Sequence, residues 1–335
     1  MGQWRIGIVG AGAVARMCHL PVLLSMDNVQ VAWLADINNP SAAALARAFG
    51  VPHLTLPASP DDLPDCDVVL LAIPVRHRMP YYEALARRGI AVFAEKPLAV
   101  SREEHAQIVS LFAPHRLACG YMRRLYANSR LLRRAVREQW FGPLQRLRIR
   151  EGTRGTRTGV DATHYDDVRA AGGGVLLSLG CHTIDLVLYL TLADSFQVHN
   201  RHIDWDDTLD RRVEAGIHLH GVGGHPEAMC EVEYCVSWLD DQENTIELEF
   251  PNVTLSAGLT PDATVTIRPH GPESEPVEEF QPGRGATTTY QAFFLEWDHF
   301  LRGVDKGEAS LVAASTAQNT AALIDAVYGR GASTV

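Results

Sequence analysis

Three groups of residues in this chain have types and spacings that could do chemistry. The first is Gly10-Ala11-Gly12-Ala13-Val14-Ala15, which follows an apolar run and opens a helical pattern. Gly10 permits a tight turn, Gly12 lets the backbone approach a pyrophosphate, and Ala15 allows close helix–strand packing. A diphosphate would rest on the free N–H groups of the helix N-terminus. Asp36 closes a second apolar run, 26 residues after Gly10. An acid there accepts from both adenine-ribose hydroxyls and repels a 2′-phosphate, so NAD is favoured over NADP. The second group is Glu95-Lys96-Pro97, at the C-terminal end of an apolar run, where ligands bind in open α/β sheets. Of the 30 basic residues, all but Lys96 and Lys306 are Arg. Arg stays protonated, whereas Lys can trade a proton, so a Lys in this setting suits a task Arg cannot do. The third group is Gly172-Gly173-Gly174, then Ser178, Gly180, His182 and Asp185. His182 and Asp185 are three apart and share a helix face. An imidazole titrating near neutrality suits general acid/base work. Each group also has a plain reading: a ligand-free glycine turn, a surface ion pair before a turn proline, and a core or capping histidine.

The elements that must hold these groups can be read from periodicity. Strand patterns at Trp4–Val9, Val29–Ala35, Val68–Ile73, Ile90–Ala94 and Leu117–Tyr121 alternate with helical patterns at Val14–Ser25, Ser41–Phe49, Arg78–Arg88 and from Ser101. Ser41 and Ser101 read as N-caps, the latter in a capping box with Glu104. Such alternation predicts a doubly wound parallel sheet. Beyond residue 122 the texture changes. Helical patterns at Asn128–Gln139 and Gly172–Leu192 flank a strand at Gln145–Glu151. Period-two strands follow at Val213–His220, Met229–Trp238, Thr245–Phe250, Val253–Ala257 and Thr264–Arg268. These predict a mostly antiparallel sheet with one covered and one open face. Helices at Tyr290–Leu301 and Ala313–Tyr328 end the chain, and Gly221–Pro226 and Gly271–Arg284 read as loops. The fold class is therefore α/β, with a Rossmann domain over 1–122 and a second α/β domain over 123–335.

Composition narrows the function classes. The 335 residues are 46% hydrophobic and 21% charged, enough for two domains with large cores. The net charge is −10, and no basic run exceeds two residues, so neither nucleic acid nor an anionic membrane is an expected partner. No apolar run reaches the length of a membrane span. The six cysteines, Cys18, Cys66, Cys119, Cys181, Cys230 and Cys235, include no CxxC pair and fit a reducing, cytoplasmic location. Ile6–Ala15 is apolar but glycine-broken and lacks a basic lead, so it does not read as a signal peptide. His218 and His220 share a strand face, with His225 in a glycine-rich turn nearby. No acid or Cys completes a ligand set with them, so no metal site is expected.

Taken in order, Gly10/Gly12/Ala15, Glu95-Lys96-Pro97 and Gly172 to Asp185 resemble the Gfo/Idh/MocA oxidoreductases, which include glucose–fructose oxidoreductase and inositol dehydrogenases. The resemblance spans essentially the whole chain. Ile73, Pro74 and His77 resemble the family's nicotinamide-side strand end, and Gly120 to Arg124 its crossover into the second domain. It implies a nicotinamide lying over the strand ends between the domains, and a sugar or polyol hydroxyl facing Lys96 and His182. His182 would take the hydroxyl proton as hydride leaves carbon; Lys96 would hydrogen-bond the same oxygen; Asp185 would orient the substrate or His182. Arg123, Arg154, His164 and Tyr165 are substrate-side candidates. The resemblance also implies a homodimer or homotetramer through the open sheet. One departure stands out. Inositol-dehydrogenase-like members carry Asp four residues before the catalytic His, where this chain has Ser178. Serine offers a neutral hydrogen bond and no charge, which puts the inositol route in doubt. Two other readings follow from the same fold: a dinucleotide-binding regulator without turnover, and a sugar-transforming enzyme that holds and recycles its NAD.

Overall fold

The computed structural model of the chain describes residues 3–154, 172–271, 279–280 and 283–330. His164 and Tyr165 lie outside them. The chain divides into two compact units.

The first unit contains the described residues up to Tyr121 together with Thr289–Gln318. Its strands are β1 (Trp4–Val9), β2 (Val29–Ala35), β3 (Val68–Leu71), β4 (Ala91–Ala94) and β5 (Leu117–Cys119). They form a parallel sheet in the order β2-β1-β3-β4-β5. Every residue of β3 and β4 is fully buried, as a parallel sheet covered on both faces requires. Because β1 lies between β2 and β3, its C-terminal end is the point where the strand order reverses, the place where such sheets bind ligands. The connecting helices are α1 (Leu20–Ser25), preceded by a π-turn over Ala15–His19, then α2 (Asn39–Phe49), α3 (Met79–Arg87) and α4 (Arg102–Ser110). The cap of α2 is Asn38 rather than Ser41: its side chain accepts from the Ser41 N–H at 3.2 Å. Ser101 caps α4 as expected.

The helix α7 (Thr289–Lys306) corrects the expected division of the chain, which gave everything after residue 122 to the second domain. Its apolar stripe is the reason. Trp297 is fully buried and stacks on Phe93 of β4, with centroids 4.5 Å apart, and Phe293 and Phe300 are buried beside it. Tyr290, in the first turn of the helix, is exposed. Burying three large aromatic side chains stabilises by roughly 5–9 kcal/mol before entropy is counted, which draws the helix back to the first sheet.

The second unit holds α5 (Ala127–Arg137), β6 (Arg146–Gly152), a π-helical turn over Leu176–Gly180, α6 (Cys181–Thr191), β7 (Ser195–Asp206), β8 (Leu209–His220) and β9 (Met229–Ser237). Then come β10 (Thr245–Glu249), β11 (Val253–Gly258), β12 (Val265–Pro269), β13 (Glu279–Phe280) and α8 (Gln318–Tyr328), whose residues from 319 onward belong here. The eight strands run β13-β12-β11-β10-β6-β9-β8-β7, antiparallel except for β6 beside β9. The twelve-residue edge strand β7 has no counterpart among the strands read from the sequence: its residues are largely polar and its register with β8 shifts twice. One sheet face is apolar, with Leu147, Ile149, Val232, Ile246 and Leu248 buried. The other is charged. Arg148 there bonds Glu233 at 2.9 Å and Glu247 at 3.0 Å, so an Arg of β6 sits between acids of both neighbouring strands. Among the described residues, no helix is long and apolar enough to cross a membrane.

Candidate active site

The turn after β1 has the features a dinucleotide cradle needs. Gly10 has φ +112°, and a Cβ there would lie 2.4 Å from the Ala72 carbonyl oxygen. Only glycine satisfies both conditions. Gly12 is exposed, with nothing within 4 Å of where a Cβ would stand. Ala13 and Val14 start the helix immediately after, and Ala15 is fully buried against the sheet. The first N–H groups of that helix have no carbonyl four residues back within it to bond. Asp36 sits just beyond β2, where its Oδ2 accepts from the Ala11 N–H and its Oδ1 from the Asn38 N–H, both at 2.7 Å. The carboxylate is thereby fixed beside the glycine turn. These residues fit the phosphates and ribose of a dinucleotide.

The ends of β3 and β4 are joined by a residue that spacing did not reveal. Arg78 is 3% exposed, and its guanidinium donates to the carbonyls of Ile73 at 2.7 Å and Pro97 at 2.8 Å, and to that of Glu95. One buried cation therefore holds Ile73-Pro74 and Glu95-Lys96-Pro97 in register. The Lys96–Pro97 peptide is cis. Lys96 is half-buried, and His77 is exposed on a short turn, Val75–His77.

Glu95 points inward. Its Oε1 lies 2.8 Å from His19 Nε2, and the Trp297 indole N–H donates to His19 Nδ1 at 3.0 Å. An indole nitrogen only donates, so Nδ1 accepts and Nε2 is the donor to Glu95. Burial pushes the Glu95 carboxyl up; the hydrogen bond from His19 and the positive charges of Lys96 and Arg78 outweigh it and hold the group below its usual range. Gly120 lies close by, where a Cβ would come within 3.3 Å of Glu95 Oε1. Cys18, in the preceding π-turn, is pushed up to about 11 by burial and by Glu95 and Glu296, so it is no ready nucleophile.

In the second unit the glycine-rich run is packed too tightly for side chains. A Cβ on Gly174 would lie 2.1 Å from the Asp210 carbonyl oxygen, and one on Gly180 would lie 2.5 Å from the Tyr234 hydroxyl. Asp210, fully buried, accepts from the Gly174 and Leu176 N–H groups at 2.7 Å and from the Tyr328 hydroxyl at 2.9 Å. It thus anchors the start of the π-turn that carries Ser178 and leads into α6. His182 stands in the first turn of α6, 8% exposed.

Asp185 is one helical turn on and 1% exposed. Its carboxylate accepts from Arg124 Nε at 2.8 Å, from Arg124 Nη2, and from the Thr320 hydroxyl at 3.0 Å. This corrects the expected orientation of substrate or His182 by Asp185: its partners are Arg124 and Thr320. Arg123, expected on the substrate side, likewise forms a buried bidentate pair with Glu151, at 2.6 and 2.8 Å. Arg154 is exposed, with its backbone N–H on Asp241 Oδ1 at 2.9 Å. Arg78, His19, Trp297, Arg124 and Asp210 escaped sequence reasoning because each acts through partners distant in the chain.

The fold and these sites define a two-part protein with a Rossmann dinucleotide-binding unit. Residues 4–121 match the family described as oxidoreductase family, NAD-binding Rossmann fold, and residues 129–248 match the GFO/IDH/MocA C-terminal domain. The chain belongs to the Gfo/Idh/MocA oxidoreductase family. It is 28% identical over 196 residues to the rhizopine catabolism protein MocA of Rhizobium meliloti, covering 57% of this chain and 58% of that protein. The chain thus spans little more than half the length of that curated relative. It is 26% identical over 333 residues, covering 96% and 94% of the two chains, to a dTDP-3,4-didehydro-2,6-dideoxy-alpha-D-glucose 3-reductase of Streptomyces violaceoruber. Among solved structures, an aldose-aldose oxidoreductase from Caulobacter crescentus, complexed with glycerol, superposes with a TM-score of 0.79 at 20% identity, covering 99% of both chains.

Proposed function

We propose that this chain is an NAD-dependent oxidoreductase that moves a hydride between nicotinamide and a hydroxyl or keto carbon of a sugar, polyol or sugar derivative. Support comes above all from the Arg78 clamp, which ties the Glu95-Lys96-Pro97 turn at the end of β4 to the end of β3, in the same parallel sheet as the dinucleotide cradle. The reductase and dehydrogenase relatives act on sugars and inositols by name, which favours this substrate class. Bound nicotinamide would accept or return the hydride. His182 takes the hydroxyl proton, and Lys96 donates a hydrogen bond to the same oxygen and stabilises its developing charge. In the reducing direction His182 returns the proton. Asp185 is then a positioning residue: it neutralises Arg124 and braces α6 behind His182. Asp36, held by the Ala11 N–H, favours a free ribose diol and hence NAD over NADP. We also propose a homodimer or homotetramer through the charged sheet face.

The test is reduced-nicotinamide absorbance across aldoses, polyols, inositols and nucleotide-linked keto sugars. Lys96→Met and His182→Asn should each lower kcat by about 10²-fold or more, with NAD affinity retained. Unchanged turnover in either variant would remove it from the acid/base pair. Ser178, neutral where an acid is usual, favours a second reading: a dinucleotide-binding regulator. Firm NAD binding, no turnover on any substrate and none gained by Ser178→Asp would decide for it.

A further inference from the structure

Away from the dinucleotide cradle, three ligand-type side chains meet on the charged face of the second sheet. They come from three adjacent strands: His199 of β7, His218 of β8 and Glu231 of β9. His199 Nε2 lies 2.8 Å from Glu231 Oε1, and His218 Nε2 lies 2.6 Å from Glu231 Oε2. The two imidazole centroids are 4.4 Å apart, and one ligand atom from each residue falls within 4.8 Å of both others. The side chains are 31–37% exposed in the single chain and are held on three neighbouring strands.

The backbone is shaped to bring the histidines together. Val198 pairs with Ile217 and Asn200 with Gly216, so His199 is the extra residue of a β-bulge. Bulges re-aim a side chain without ending the ladder. The facing residue is Gly216, where a Cβ would stand 2.4 Å from His199 Cε1. Any larger residue would push the imidazole out of its place beside His218. Spacing groups His218 with His220 and His225, a set that no acid or Cys completes, and predicts no metal site there. The sheet supplies the missing acid from β9 and the second imidazole from β7.

We propose that His199, His218 and Glu231 bind a divalent transition-metal ion of the zinc class. Two imidazole nitrogens and one carboxylate oxygen suit such an ion, whereas Ca²⁺ and Mg²⁺ prefer all-oxygen sets. With metal–ligand distances of about 2.0–2.2 Å, ligand atoms around a tetrahedral ion stand roughly 3.3–3.6 Å apart. Binding lengthens the two His–Glu contacts from 2.8 and 2.6 Å to that spacing, with the three ligand atoms already within 4.8 Å of one another. His199 Nε2 now donates a hydrogen bond to the carboxylate and His218 Nε2 makes a close contact with its other oxygen; an ion bound to the two nitrogens takes the place of any hydrogen there, and that proton is released. Three protein ligands leave a fourth position for water or an outside donor.

The experiment is titration of the chelator-treated full chain with Zn²⁺ by calorimetry and with Co²⁺ by visible absorption. About one equivalent per chain is expected, with a Co²⁺ ligand-field band and no thiolate charge-transfer band. Mg²⁺ should not compete. Glu231→Gln, which keeps the shape, and His199→Ala/His218→Ala should each weaken Zn²⁺ binding at least about tenfold, with melting of the metal-free variants confirming that they fold. Absence of stoichiometric binding overturns the proposal. So does binding that survives in the double variant, or a thiolate band, which would place the ion on cysteines.

Discussion

Arg78→Met should destabilise the first unit and loosen the turn that carries Lys96. The guanidinium is 3% exposed and donates to three carbonyls, those of Ile73, Glu95 and Pro97. A hydrogen bond from a charged donor contributes about 1.5–3 kcal/mol, which would give roughly 5–9 kcal/mol if the three were additive. Two effects lower that figure. Ile73 and Pro97 are half-buried, so water can replace part of the loss. Methionine also removes the penalty of burying a cation. A net destabilisation of about 2–4 kcal/mol results, equivalent to a fall of roughly 5–12 °C in the melting of a unit this size. Because the Lys96 turn loses its tether, NAD affinity should fall too. Arg78→Lys should lie between, since one ammonium cannot span the three acceptors. Thermal unfolding by circular dichroism and NAD titration by calorimetry measure both. If Arg78→Met melts within about 1 °C of the unmutated chain and binds NAD equally well, the clamp does not hold the strand ends.

Three further outcomes can be checked on the same protein. The Glu95 carboxyl is held below its usual range, so the stability it contributes is present above the unfolded value, about pH 4.3–4.5, and is lost as pH falls through the folded value. His19→Phe keeps the ring packing but removes the hydrogen bond, leaving burial to raise the carboxyl; the urea midpoint should then begin to change with pH at a higher pH than in the unmutated chain, and superimposable profiles would refute the pairing. Asp36→Ala should weaken NAD binding and narrow its advantage over NADP, and equal preference in the unmutated chain would remove the ribose-diol argument. Sedimentation velocity at micromolar concentration should show dimers or tetramers that weaken when Arg148→Glu places three acids side by side on the sheet face; a monomer throughout would rule out assembly through that face.

Local signals determined much of this protein in advance. A tight turn requiring glycine, a buried parallel strand and an amphipathic helix each leave their mark within a few residues, so β1 to β5 with their helices, and the places of Gly10, Asp36 and Lys96 at strand ends, are legible in the sequence. The family resemblance drew on the same short motifs. Tertiary structure alone decided what those residues touch. That Arg78 ties two strand ends, that His19 links Glu95 to Trp297, which lies 278 positions from it in the chain, and that Asp185 serves Arg124 are facts of long-range packing. A polar edge strand such as β7 shows no clear period-two pattern when most of its residues face solvent and bulges shift its register. The return of α7 to the first unit, and the meeting of His199 with His218 and Glu231, likewise depend on which surfaces are buried together, and sequence spacing carries no record of that.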